Sequence, residues 1–240
     1  MRSLFVALSA LLLVGCAQTR TFTISAQPAD AKIAIDAIER GQGRVTVPLV
    51  FKDKNDTHTV LVSRLGFKDQ EIPLTRDFDR DQIDVELRPR TRRITFTVSP
   101  APATLSLDGR PLSKEAVSSL SPELEFTVDA QDRWVPRKVR AERPNYKPAD
   151  VVVSWLDNKT TYPLKLEPLT KDLAITSEPS GATVLLNGEE VGQTPFSRED
   201  HPFPVDPATN EFLPQKLALK KAGYPDVETT ISWEEGKTEY

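Results

Sequence analysis

Residues 175–188 read ITSEPSGATVLLNG, and the spacing within this stretch predicts two short strands joined by a turn, then a hairpin. Leu173 and Ile175 stand six and four residues before Pro179, and Val184 and Leu186 alternate after Ala182. Apolar residues two apart share one face of a strand. Asn187-Gly188 then supplies the pair that best tolerates the positive φ of a tight hairpin. The same arrangement occurs twice upstream. Pro28-Ala29-Asp30-Ala31 and Pro100-Ala101-Pro102-Ala103 align with Pro179-Ser180-Gly181-Ala182, and successive prolines are 72 and 79 residues apart. Phe22 and Ile24, then Ile94 and Phe96, precede these prolines at the same offsets; Ile33 and Ile35, then Leu105 and Leu107, follow them. The turn pairs are Asp36-Ala37 and Asp108-Gly109, so the first copy lacks the turn glycine.

The correspondence continues downstream through Gly66-Phe67, Asn145-Tyr146 and Gly223-Tyr224. Trp155 and Trp233 are 78 residues apart, as are Tyr162 and Tyr240. Short strands with regular turn signals predict an all-β chain of three tandem small antiparallel β-sandwich domains, spanning 21–89, 90–168 and 169–240. Only Lys114 to Leu120 reads as a brief helix. Val85 to Pro89 and Leu164 to Pro168 end the first two copies alike, and no equivalent follows in the third. Its last strand is therefore expected to be missing, with an edge open to a partner's strand.

The third copy, with Gly192-Gln-Thr194-Pro195 and Ala222-Gly223-Tyr224, closely resembles the PEGA domain, Ser180 standing where that family has Glu. The first two copies resemble it more weakly, with Asp30 and Pro102 in place of the glycine. The resemblance implies a small β-sandwich of bacterial and archaeal envelope proteins, usually without catalytic residues of its own.

The amino terminus gives an address. Met1-Arg2-Ser3 carries one positive charge, Leu4 to Val14 is almost wholly apolar, and Leu13-Val14-Gly15 precedes the only cysteine, Cys16. The run is too short for a bilayer core, which needs roughly 20 residues, and reads as a cleaved signal peptide over 1–15 followed by a tether over 16–20. An incidental thiol in an ordinary signal is the plainer alternative. The tetrapeptide resembles the bacterial lipoprotein box, which implies diacylglycerol on Cys16 and N-acylation of the new terminus. Several acyl chains hold far more firmly than one. Ala17 after the cysteine is similar to the outer-membrane sorting pattern of a diderm host.

Composition excludes several chemistries. One cysteine forbids an intrachain disulfide, a Cys-based zinc site or an iron–sulfur cluster, and two histidines cannot close a His-rich metal site. A net charge of −4 gives no reason to expect nucleic acid. His58 lies in a strand-like run and His201 in a proline-rich loop, with no nucleophile elbow to serve. Asp77 to Asp81 mimics a calcium loop, but Gln82 and Arg88 stand where glycine and glutamate are needed; a charged hairpin tip is expected instead. No catalytic, cofactor or metal residue is assigned, and an enzyme would require distant carboxylates such as Asp150 and Glu167 to converge.

Contact candidates remain. Trp134, Arg137, Lys138 and Arg140 mix aromatic and basic residues, and with Tyr146 could meet an anionic lipid or a cell-wall glycan. Trp155 and Trp233 share strand faces with Val151, Val153 and Ile231 and are expected in cores. Ser197 to Pro214 is the most irregular segment and presents His201 and Phe203 as candidate partner contacts. The resulting expectation is a lipid-anchored envelope spacer or adaptor that binds a protein partner. Its alternative is a module binding peptidoglycan or a surface polysaccharide.

Overall fold

The computed structural model describes residues 17–234 and 236–240, so the expected signal peptide and Cys16 lie outside the described residues. Among the described residues the chain is all-β apart from one 3-10 turn. Its first part holds β1 (Gln18–Gln27), β2 (Lys32–Ile35), β3 (Ile38–Gln42), β4 (Arg44–Phe51), β5 (Thr57–Ser63), β6 (Gln70–Thr75) and β7 (Gln82–Glu86). Then come β8 (Arg90–Arg93), β9 (Thr95–Ser99), β10 (Thr104–Leu107), β11 (Arg110–Pro111), β12 (Ser119–Leu120), β13 (Glu123–Phe126), β14 (Arg137–Glu142), β15 (Tyr146–Lys147), β16 (Ala149–Val153), β17 (Thr161–Lys165) and β18 (Glu167–Pro168). The last part holds β19 (Thr170–Ile175), β20 (Thr183–Leu186), β21 (Glu189–Gln193), β22 (Phe196–Pro202), β23 (Gln215–Lys220) and β24 (Val227–Ile231).

One strand order recurs three times. The four-stranded sheets β3-β2-β5-β6, β11-β10-β14-β16 and β21-β20-β23-β24 are antiparallel throughout and place equivalent strands in equivalent positions. Beside them stand the sheets β4-β1-β7 and β12-β9-β17, and the pair β19-β22. The alternating residues read from sequence form the interiors. Phe22, Ile24, Ile33, Ile35, Val60 and Val62 are fully buried in one cluster, and Leu173, Ile175, Val184, Leu186, Leu217 and Ile231 form another. The fold is thus a set of small sheets repeated in sandwich-like fashion.

Compactness divides the chain into two units. One comprises residues up to Thr91 with Glu125–Val135, the other Arg92–Leu124 with Pro136–Tyr240.

Four expectations are corrected. The sheets are not purely antiparallel: β1 runs parallel to β7, and β9 parallel to β17. A return to the first strand across the sandwich, rather than by a hairpin, produces that direction. Lys114 to Leu120 forms no helix, because Val117 bridges Ala103 and β12 pairs with β9, so its backbone groups are used laterally. Trp155 leaves the strand for the 3-10 turn Trp155–Asp157, capped by Ser154, and lies half-buried with the Arg92 guanidinium 4.4 Å from its ring. The last strand of the third part is begun rather than missing. Thr238 to Tyr240 lie parallel to β19, with Ala174 N–H donating to Thr238 O, Tyr240 N–H to Ala174 O and Thr176 N–H to Tyr240 O.

Each four-stranded sheet carries the same turn clamp. Asp36, Asp108 and Asn187 adopt φ of 52°, 48° and 53°, followed by Ala37 at 65°, Gly109 at 80° and Gly188 at 89°. Ala37 is the only one of these followers with a Cβ in a left-handed conformation, which costs about 1–2 kcal/mol. Ala37→Gly is therefore expected to raise unfolding stability by about 0.5–1 kcal/mol after the added chain entropy of glycine. Urea denaturation of the two proteins checks it.

Candidate functional site

The turn residue of each sheet grips the neighbouring strand. Asp36 Oδ1 accepts Thr59 N–H at 2.9 Å and Oδ2 lies 2.5 Å from His58 Nδ1. Asp108 Oδ1 accepts Lys138 N–H at 2.8 Å, and Oδ2 takes Arg137 Nε. Asn187 Oδ1 accepts Lys216 N–H at 2.9 Å while its Nδ2 donates to Gln215 Oε1 at 3.3 Å. His58, Arg137 and Gln215 therefore occupy one structural position, and two of the residues singled out as chemically interesting are turn locks.

The two histidines sit in opposite environments. Burial pulls the His58 pKa down, but the Asp36 carboxylate and the Val50 carbonyl, 3.1 Å from Nε2, outweigh it and hold the value above normal. His201 is in strand β22, not a loop, and is buried. Its Nε2 lies 3.2 Å from Gln215 Oε1 and 3.1 Å from Gln215 Nε2, and that amide also donates to Pro202 O. That leaves Nδ1 without a hydrogen-bond partner among the described residues. Burial depresses its pKa and outweighs the upward pull of the Gln215 hydrogen bond, with a smaller downward push from Arg198.

The linkage signs differ. Below the ordinary histidine value of about 6.5, the His58 contribution is fully present, and it is lost as pH rises through the elevated folded value. The His201 contribution is present above about 6.5 and is lost as pH falls, since only the unfolded chain takes the proton there. Histidine proton NMR is expected to show one midpoint above and one below the ordinary value. His58→Gln should remove the first and His201→Gln the second.

The basic stretch is internally neutralised. On β14, Arg140 Nε donates to Asp150 Oδ1 at 2.8 Å and Lys138 Nζ lies 2.8 Å from Asp150 Oδ2. These hydrogen bonds hold the Asp150 carboxyl far below the usual carboxylate range. Trp134 is half-buried and bridges Val128 by its backbone in the first compact unit, whereas Arg137, Lys138 and Arg140 belong to the second. Asp150 and Glu167 are both exposed and line no buried cleft. Phe203 is fully buried, so neither it nor His201 is placed to touch a partner; the run holding them is apolar because it packs inward. Phe203 meets Trp233 edge-on at 5.3 Å, and Trp233 stacks on Phe212 at 4.5 Å. Lys171 Nζ lies 4.8 Å from the Trp233 ring.

The residues that sequence reasoning missed are two arginines. Arg64 follows β5, and its Nε donates to Asp30 Oδ2 at 2.8 Å and its Nη1 to Asp132 Oδ1 at 3.0 Å. Arg143 follows β14, and its Nη1 donates to Ala101 O at 2.7 Å, Nε to Asn210 Oδ1 at 2.7 Å and Nη2 to Pro207 O at 2.5 Å. Each grips the proline turn of its own sheet and a left-handed residue at a hairpin tip, since Asp132 and Asn210 have φ of 58° and 61°. The 79-residue spacing of the two arginines was the available signal. A polar cleft of about 500 Å³ opens at the first, lined by Asp30, Lys32, Arg64, Asp69, Arg90 and Asp132. A trough of about 650 Å³ lies on the outer face of β20, β23 and β24.

Among the described residues no group of three or more His, Cys, Asp or Glu side chains is placed to hold a metal ion. No described helix is long and apolar enough to cross a membrane. No curated protein matches the sequence. Among solved structures, the TIE protein of Bacillus anthracis is similar over 92% of this chain at 10% identity, with a TM-score of 0.42. This chain covers 49% of that one, about half its length. The major pilin subunit of Bacillus cereus is similar over 94% of this chain and 98% of its own, at 8% identity and a TM-score of 0.30. Residues 170–239, which carry the third turn clamp and the sheet β21-β20-β23-β24, match the PEGA domain.

Proposed function

We propose that this is a lipid-anchored cell-envelope protein of three tandem PEGA-like β-sandwiches over 21–89, 90–168 and 169–240, acting as a non-catalytic spacer or adaptor that presents a protein-binding surface. The observation that supports it best is the repeated arginine latch. Arg64 and Arg143 do at two equivalent places what a modular scaffold requires, fastening a hairpin that lies about 70 residues onward to the preceding sheet. The histidines and the acidic turn residues are spent on holding strands together, which fits a scaffold rather than a reaction centre.

Cys16 supplies the anchor in this reading. Cells fed radiolabelled palmitate are expected to label the protein and keep it with membranes, and Cys16→Ser to abolish both. Labelling that survives Cys16→Ser would remove the anchor from the proposal. The glycan-binding alternative gains less from the geometry, because the cations of β14 already face Asp108 and Asp150. Pull-down on purified peptidoglycan with Trp134→Ala as control separates the two readings; saturable binding lost in that variant would favour the glycan.

A further inference from the structure

The first two latches have a third counterpart whose outer half is unused. Seventy-eight residues after Arg143 stands Lys221, which donates to Ser180 O, the carbonyl equivalent to Ala101 O in the second latch. Around the earlier arginines two further features meet the incoming chain. The carbonyl of Gly66 accepts Arg90 N–H, and that of Asn145 accepts Leu169 N–H. The aromatic residue that follows is covered, Phe67 half-buried and Tyr146 only 8% exposed. At the third position Gly223 O receives no backbone donor among the described residues, and Tyr224 is 56% exposed. Lys221 has no contact with a hairpin tip among the described residues.

We propose that the corner formed by Ser180, Lys221, Gly223 and Tyr224 is a docking site for a β-hairpin of the same build as Glu125–Val135 and Phe203–Leu213, presented by a partner polypeptide. Both filled latches define the occupant. In each, an aspartate opens the hairpin tip with an Asx turn, Asp129 accepting Gln131 N–H and Asp206 accepting Ala208 N–H, both by Oδ1. In each, the residue gripped is a left-handed Asp or Asn. A lysine in place of arginine is a point charge without a planar fork, so it selects the acidic version, with Asp rather than Asn at the tip. Both hairpins of this build among the described residues are already seated, so the corner is tested with a hairpin supplied as a separate peptide. The proposal rests on the adaptor reading but not on the lipid anchor, and its test needs no membrane.

The probe is a cyclised, fluorescein-labelled peptide of residues 125–135, titrated against the purified full-length protein by anisotropy. Saturable binding is expected, weakened at least tenfold by Lys221→Glu or Tyr224→Ala and by replacing the peptide's Asp132 with alanine. Lys221→Arg is expected to tighten it, because the fork of the earlier latches is restored. Arg64→Ala should leave the affinity unchanged, which excludes displacement of the resident hairpin. Both socket side chains reach solvent, so matched melting curves establish that the variants fold. Absence of saturation, or equal binding by Lys221→Glu and Tyr224→Ala, would overturn the proposal. So would Lys221-dependent self-association without peptide binding, which would assign the corner to a second copy of this chain.

Discussion

Replacing Arg143 with methionine is expected to lower the unfolding free energy by about 2–4 kcal/mol, and to do so by loosening the segment Val205–Phe212 before anything else. Arg143 is 5% exposed, and its guanidinium has no carboxylate among its bonded partners. Its charge is satisfied by two carbonyls and an amide oxygen, and Asn145 Nδ2 adds a fourth bond to Asn210 O. Methionine fills much of the same volume but strands three acceptors in a place water barely reaches, and it is that stranding which dominates the loss. Lysine should recover only part of it, since one ammonium cannot span acceptors on two sides. Hydrogen exchange at Asn210 and Leu213, whose amides bond Asp206 O and Pro204 O, is the local readout. Unchanged protection there with a lower global stability would contradict the latch mechanism.

Gly43→Ala should be still more damaging, about 3 kcal/mol or more, confined to the first compact unit. A Cβ on Gly43 would lie 2.2 Å from Ala29 O, and φ is +67°. The obstacle is backbone, not the movable end of a side chain. Relief would require shifting the Pro28 turn, yet that turn is pinned by Gly43 N–H to Ala31 O, by Ala26 N–H to Gly43 O and by Arg64 on Asp30. Thermal melts of Gly43→Ala beside Gly109→Ala, where φ is +80° and nothing lies within 4 Å of the added Cβ, separate the backbone collision from the left-handed conformation. Equal losses in the two would refute the collision as the cause.

The alternation of Ile33 with Ile35, or Val184 with Leu186, was legible because a strand buried on one face declares itself every second residue. The turns were legible because Asp or Asn before Gly is a local preference that needs no partner. Gly43 was not, since its necessity comes from a carbonyl fourteen residues away. The tryptophans were misjudged in part for the same reason. Trp155 shares a two-residue rhythm with Val151 and Val153, but Ser154 caps a turn there and Arg92 covers the ring. His201 and Phe203 sit among prolines that suggest a surface loop, whereas the aromatic stack with Trp233 and Phe212 draws the segment inward.

Side-chain periodicity and local backbone preference were enough to read most of the strands, the three-fold recurrence of the turn and the positions facing each core, although not β12 or β22. The tertiary structure alone decided the parallel return of β7 and β17, the neutralisation of the β14 cations, and the use of Arg64 and Arg143 as latches. The reason is physical: a long cationic side chain carries no rhythm, and what it does depends on which carbonyls and carboxylates the completed sheets bring within about 3 Å of it.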